Sequence, residues 1–198
     1  YAASKAASDH IVRAWFHTYG LPIIITNCSN NYGPFQFPEK FIPLMIINCL
    51  QEKPLPIYGN GSNIRDWLHV NDHCRALQMI GSNGIIGQTY MLGGNSERTN
   101  VEIVTHLCEI LDRNYPRSGN KKYSELIEYV SDRPGHDLRY AIDTSQTVNE
   151  IGWTPLTDLN DGLDETVKWY FEHKDWWQNI LNIQYDGKRL GLNNKGIS

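Results

Sequence analysis

The chain opens on Tyr1-Ala-Ala-Ser-Lys5-Ala-Ala-Ser-Asp-His10, reaches Gly20, and continues into the apolar run Pro22-Ile-Ile-Ile-Thr26. It then passes through the polar run Asn27-Cys-Ser-Asn-Asn31-Tyr-Gly-Pro34. Small residues at 2, 3, 4, 6, 7 and 8, followed by Ile11, Trp15 and Tyr19 four apart, predict a helix over 2–19, with Gly20 as its stop. The short β-branched run 22–26 predicts a parallel strand buried on both faces. Helix followed by buried strand is the rhythm of an α/β fold. Open α/β sheets bind ligands beyond the carboxyl ends of their strands, so the amides at 27–31 are candidates to face a ligand. Asn-Asn and Gly-Pro are equally turn formers, and a plain turn satisfies the same residues.

Tyr1 and Lys5 stand at i and i+4, which on a helix places both side chains on one face, about 5–6 Å apart at Cβ. A phenol titrates near pH 10, so acting as a base near neutrality requires a shift of about 3 units, or roughly 4 kcal/mol. A neighbouring ammonium and a cationic ring could supply it. The same spacing also suits a half-buried ring beside a solvated charge. The small residues of 2–8 permit close approach to a sheet, a cofactor or a partner helix.

With 198 residues, 40% of them hydrophobic, the chain can bury a sizeable core. A net charge of −4 and a pI near 6.0 argue against a general nucleic-acid or membrane-surface binder. Any anionic ligand must be met by local Arg or Lys residues. No apolar run approaches the ~20 residues of a membrane span. Cys28, Cys49, Cys74 and Cys108 are scattered without C-x-x-C pairs, as expected of reduced, buried thiols.

Further along, 38–52 reads as an apolar helix carrying Phe41, Leu44, Met45, Ile47 and Leu50. Glu39 and Lys40 fall in its first turn. A cation is unfavourable there, which marks Lys40 as a residue kept for an anion. Leu55 to Tyr58 reads as an edge strand running into a turn, and Ile64 to Val70 as a second strand with Arg65 at its start. Asn71 or Asp72 is the expected cap of a helix over 73–80. His69 and His73 are four apart but fall on different elements, which disfavours a metal site. Gln88 to Leu92 reads as a strand, Thr99-Asn-Val-Glu102 as a capping box opening a helix, 113–125 as a surface loop, and Ile127 to Val130 as another strand. Asp132-Arg-Pro-Gly-His136 combines charge, turn and imidazole, and the planar fork of Arg133 suits phosphate oxygens. Helices are expected at 145–151 and 159–173, with Trp169, Trp176 and Trp177 as core or oligomer packing.

Taken together, Tyr1 to His10, Thr26 to Pro34, Leu55 to His73 and Asp132 to Asp143 resemble the C-terminal part of the dTDP-glucose 4,6-dehydratases. These are extended short-chain dehydrogenase/reductases of deoxysugar synthesis. The resemblance runs along essentially all 198 residues, including Trp176-Trp177 and the closing Arg189-Leu-Gly191. It implies a Rossmann-type doubly wound parallel sheet, of which this chain holds the C-terminal part, plus a smaller mixed α/β substrate-binding region. Residues 1–34 would complete the NAD-binding domain, 35–198 would mainly form the nucleotide-sugar region, and segments near 64–80 would return to the Rossmann domain. The glycine-rich half is expected upstream, which makes this chain a fragment without turnover of its own.

The activity implied is NAD-assisted dehydration: oxidation at C4 of the sugar, loss of water across C5 and C6, and return of the hydride to C6. By the resemblance Tyr1 is the catalytic base and Lys5 holds the nicotinamide ribose, with both touching the cofactor beside Asn31. Asn30, Lys40, Phe41, Pro56, Tyr58, Arg65, Asn100, Asp132, Arg133, Pro134, Gly135 and His136 would line the substrate site. A homodimer through the 2–19 helix is also implied; the scattered thiols point to a cytoplasmic location, and the charge and hydropathy to no nucleic-acid or membrane partner. His69, Asn71 and Met91 depart from the family pattern at positions that bear on packing and capping. An epimerase or decarboxylase on the same scaffold, or a non-catalytic nucleotide-sugar-binding module, is the competing expectation.

Overall fold

A computed structural model of the chain describes residues 2–183; Tyr1 and Arg189-Leu-Gly191 lie outside the described residues. Helix α1 spans Ala2–Tyr19 and ends at Gly20, whose backbone is left-handed (φ +67°) and whose N–H donates to Phe16 O at 2.9 Å. Strand β1 is Ile25–Cys28 rather than 22–26, because Pro22 has no N–H to contribute and the parallel partner β5, Thr89–Leu92, sets the register at Ile25↔Thr89. Only Ile25 of the four is buried; the others are half-buried, so the strand is not covered on both faces as expected. The run 27–34 is not a single loop, since Asn30–Tyr32 forms the short strand β2.

The other elements follow in order: α2 Phe41–Leu50, β3 Leu55–Tyr58, β4 Ile64–His69, α3 Val70–Asn83, β5, β6 Glu97–Thr99 and α4 Asn100–Asn114. After them come β7 Ile127–Val130, β8 Arg139–Tyr140, α5 Ser145–Ile151, α6 Leu159–Glu172 and α7 Lys174–Ile183. Three expectations need correction. Helix α2 begins at Phe41, so Lys40 is its N-cap and Glu39 lies outside it. Helix α3 begins at Val70 and its cap is His69, whose Nδ1 accepts the Asn71 N–H at 3.4 Å; neither Asn71 nor Asp72 caps it. The stretch 113–125 is not a plain surface loop: it holds two 3-10 turns, Ser118–Asn120 and Tyr123–Leu126, and Tyr123 is buried with its hydroxyl donating to Tyr115 O. The capping box at α4 forms as read, with Thr99 Oγ1 accepting from Glu102 N and the Glu102 carboxylate accepting from Thr99 N.

The chain divides into two compact units. The first comprises the stretch up to Asn31, Arg65–Glu97 and Tyr140–Thr157. Leu68, Ala76, Ile80, Tyr90, Leu92, Ile151 and Trp153 form its core, with Ile24, Cys28 and Met79 packed against them. The second comprises Tyr32–Ile64, Arg98–Arg139 and the chain from Asp158 onward. There β3 and β7 pair in parallel, Leu55↔Ile127 to Tyr58↔Val130, and Ile42, Met45, Ile46, Ile103, Leu107, Leu163 and Val167 of α2, α4 and α6 are buried. Strands β2, β4 and β6 pair in that order, with β8 on β4; within each of these strands the chain passes from one unit to the other.

Two buried carboxylates organise the first unit. Asp66 accepts the N–H groups of Gly94 at 2.9 Å and Ser96 at 2.7 Å, closing the β5–β6 turn onto β4. Only glycine permits that approach, since a Cβ on Gly94 would lie 1.7 Å from Trp67 O. Asp72, in the first turn of α3, accepts from Leu156 N (3.1 Å), Thr157 N (2.9 Å) and Arg75 Nη2 (3.0 Å), while its own carbonyl receives the Trp153 indole N–H at 3.1 Å. Arg75 also donates to Thr154 O. Burial alone would raise the Asp72 pKa, but the bonds from Thr157, Arg75 and Leu156 outweigh it and hold the carboxyl below its usual value.

A depressed carboxyl contributes stability above its unfolded-state pKa of about 3.9 and loses it as pH falls through the folded value. Asp72→Asn is therefore expected to cost about 2–3 kcal/mol at pH 7. It should also flatten the acid limb of stability below about pH 5 in chemical-denaturation curves, whereas an unchanged limb would show that Asp72 is not the titrating anchor.

Candidate functional site

In the first unit the polar groups gather at the carboxyl end of β1. Asn27 Nδ2 lies 3.5 Å from Asp9 Oδ2, and at the opposite, amino end of the strand pair Arg13 Nη2 donates to Thr89 Oγ1 at 2.6 Å, which ties α1 to β1 and β5. Gly87 allows the Phe16 ring to lie where a Cβ would come within 2.7 Å of it. Lys5, on α1, is exposed, and its charge is felt at Cys28. Burial pushes the Cys28 thiol up, against the opposing pull of the Asn31 amide and of that ammonium.

Asn31 Nδ2 donates to Ser29 O at 3.1 Å and to Cys28 Sγ at 3.3 Å, and its Oδ1 lies 2.7 Å from His73 Nδ1 on α3. Asn30 is half-buried on the same strand. Ser29 is 4% exposed and its hydroxyl finds no hydrogen-bond partner. An orphaned buried hydroxyl at a strand's carboxyl end leaves a polar position for a ligand to satisfy. The Ser29 hydroxyl is the group here that a polar atom of a dinucleotide could meet. Arg65 is buried at the start of β4.

In the second unit the parallel pair β3–β7 ends at Tyr58 and Val130, and the loops beyond both strands come together. Gly59 N donates to Val130 O at 2.9 Å, and a Cβ on Gly59 would lie 3.2 Å from Asp132 Oδ2. Gly59 is left-handed (φ +59°), so the position favours glycine on both counts. Asp132 Oδ1 accepts from Arg133 N at 2.8 Å and lies 2.7 Å from His136 Nδ1. The His136 side chain is only 5% exposed, and its ring meets Tyr58 edge-on at 6.3 Å. The hydrogen bond from His136, joined by that from Arg133 N, holds the Asp132 carboxyl below its usual range. A carboxylate can only accept, so His136 Nδ1 carries the proton.

The N-terminus of α4 is drawn to the same place. Val101 N donates to Gly61 O at 3.1 Å, Asn100 N to Asn63 O at 3.0 Å, and Asn63 Nδ2 to Asp137 O at 3.2 Å. The second unit thus brings together Tyr58, Asn100, Asp132 and His136, with Arg133, Pro134 and Gly135 exposed on the connecting turn. Pro56 lies two residues back along β3. Lys40 and Phe41 stand apart in sequence at the start of α2, where Lys40 Nζ pairs with Glu39 at 3.1 Å.

Sequence reasoning missed His73, Asp66, Gly61 and Asn63. The spacing of His69 and His73 suggests at most a metal pair, and in the structure the two do different work: His73 bonds Asn31 and His69 caps α3. Among the described residues no cluster of His, Cys, Asp or Glu could hold a metal ion. Cys74 is exposed, contrary to the expectation of uniformly buried thiols. No helix among the described residues is long and apolar enough to cross a membrane.

The dTDP-glucose 4,6-dehydratase of Neisseria meningitidis is 54% identical over 193 residues, which is 96% of this chain and 54% of that protein. The chain spans about half the length of the curated relatives it matches. Among solved structures, dTDP-glucose 4,6-dehydratase from Bacillus anthracis in complex with NAD has a TM-score of 0.81 at 48% identity, covering 91% of this chain and 54% of that one. The Streptomyces venezuelae dTDP-glucose 4,6-dehydratase with NAD bound has a TM-score of 0.83 at 44% identity, covering 91% and 53%. These likenesses show a Rossmann-type α/β fold shared with dehydratases of the short-chain dehydrogenase/reductase class. Residues 1–166 match the family model described as GDP-mannose 4,6 dehydratase, and the chain belongs to that family.

Proposed function

We propose that the protein carrying this chain is an NAD-dependent dTDP-glucose 4,6-dehydratase, and that the chain supplies the C-terminal half of its machinery. The observation that carries this reading is 54% identity to such an enzyme along 96% of the chain. On this reading the first unit belongs to the NAD-binding domain and the second holds the nucleotide sugar. On the same reading the glycine-rich loop and the acid and base of elimination are expected outside these 198 residues, so the chain by itself is not expected to turn over.

NAD, when bound, supplies a hydride acceptor for the C4 oxidation and gives the hydride back at C6. Tyr1 takes the proton of the sugar C4 hydroxyl. Lys5, whose charge already reaches the end of β1, holds the cofactor ribose and favours the Tyr1 phenolate. Asn31 sits by the cofactor, and Asn30 faces the sugar. Arg65, Arg133 and Lys40 are the cations for the diphosphate, which an acidic chain must provide locally. Pro56 and Tyr58 clasp the base, Phe41 and Asn100 line the same pocket, and the Asp132–His136 turn closes on the nucleotide with its imidazole already fixed by Asp132.

The face of α1 carrying Ile11, Trp15 and Tyr19 is 52–70% exposed in this chain, and a second copy is its proposed cover, giving a homodimer. A cytoplasmic location fits the free thiols.

At its natural length the protein, with NAD, is expected to convert dTDP-glucose to a product lighter by one water, read by mass spectrometry. Tyr1→Phe should lower kcat by roughly 100-fold or more with KM little changed; near-normal turnover would remove Tyr1 from the base role. Arg65→Ala should instead act on binding, raising KM roughly 10-fold or more through loss of a charge-assisted contact. An Arg65→Ala enzyme with wild-type KM would place the diphosphate elsewhere.

A further inference from the structure

The orientation of the Asn31 amide is set by its surroundings. Ser29 O, 3.1 Å from one end of the amide, is a carbonyl and can only accept, so the NH2 group must face it. Asn31 Oδ1 therefore faces His73 Nδ1 at 2.7 Å. An amide oxygen can only accept in turn, so His73 is an Nδ1–H donor. This tautomer is required by the chemistry of its neighbours, not chosen. Burial also lowers the His73 pKa, which favours the neutral ring.

We propose that His73 is a positioning residue that locks the Asn31 side chain in the orientation used to hold the cofactor. The proposal rests on the reading of Asn31 as a cofactor contact. An unrestrained asparagine amide can rotate about two side-chain torsions and exchange its donor and acceptor ends. With Ser29 O on one side and His73 Nδ1–H on the other, the exchanged orientation would set acceptor against acceptor and donor against donor. One rotamer and one flip state remain, as a site group with little reorganisation requires. His73 comes from α3, whose first turn is anchored by Asp72 to residues 156 and 157, so the donor is carried on a fixed element.

The test uses the protein at natural length, stripped of cofactor and titrated with NAD by calorimetry, with melting temperature of the NAD-free protein as the folding control. His73→Leu is expected to weaken NAD binding about 5- to 10-fold, the effect of one buried hydrogen bond. His73→Asn, which returns an N–H close to the Nδ1 position, should recover most of the loss. Nitrogen-15 spectra of histidine-labelled wild type should show His73 with a protonated Nδ1 and a bare Nε2. If Asn31→Ala leaves NAD affinity unchanged, the assignment of Asn31 itself fails. If Asn31→Ala weakens binding while His73→Leu does not, the role of His73 is overturned and that of Asn31 stands. Equal losses in His73→Leu and His73→Asn, or an Nε2–H tautomer, also overturn it, and the spectrum decides should His73→Leu not fold.

Discussion

The carboxylate of Asp72 fastens together parts of the chain that the sequence keeps far apart. It lies in the first turn of α3, yet it binds backbone at 156 and 157, and its carbonyl holds the indole of Trp153. The first unit is assembled from three separated stretches, so its core exists only if the third returns to the second. Trp153 and Ile151 fill that core beside Leu68 and Tyr90. The hydrogen bonds to Asp72 hold the returning segment where those side chains can be buried. A buried carboxylate costs several kcal/mol of desolvation unless several donors converge on it, as they do at this position.

Local signals survive in the structure where they are complete within one turn. The Thr99–Glu102 box, the Gly20 stop and the Gly152 end of α5, left-handed at φ +70°, all lie within a few residues of what they control. Readings failed where a long-range partner decides. The start of β1 is fixed by β5, some sixty residues later, and Pro22 falls out of it. Histidine is an uncommon cap, and Asp72 has an ideal cap composition that tertiary structure uses elsewhere. Tyr123 is buried inside a segment whose Pro, Ser and Gly content reads as surface.

The candidate site shows the same division. Tyr58 is remote in sequence from Asp132 and His136, and the parallel β3–β7 pair brings them together by ending both strands on one side, while Asn100 is held at the start of α4 by Asn63. The close approaches there depend on Gly59 and Gly61, where side chains would meet Asp132, Ile57 or Val101. Composition could nominate Arg133 and Lys40 as cations. It carried no signal for Asn63 or for the contact of Asn31 with His73, because both are made by residues more than forty positions apart.

The interleaving of the two units has a consequence for synthesis on the ribosome. Residues up to Asn31 are made before Arg65–Glu97 and Tyr140–Thr157, the stretches that complete their unit, and the second unit needs the chain beyond Asp158. At ~5–20 residues per second, the early strand β1 waits on the order of ten seconds for the segment that completes its core. During that wait the half-apolar face of α1 and the unpaired edge of β1 are open to other chains. Closure of the first unit therefore waits on synthesis of the segment carrying Trp153, and termination before that residue leaves neither unit closed.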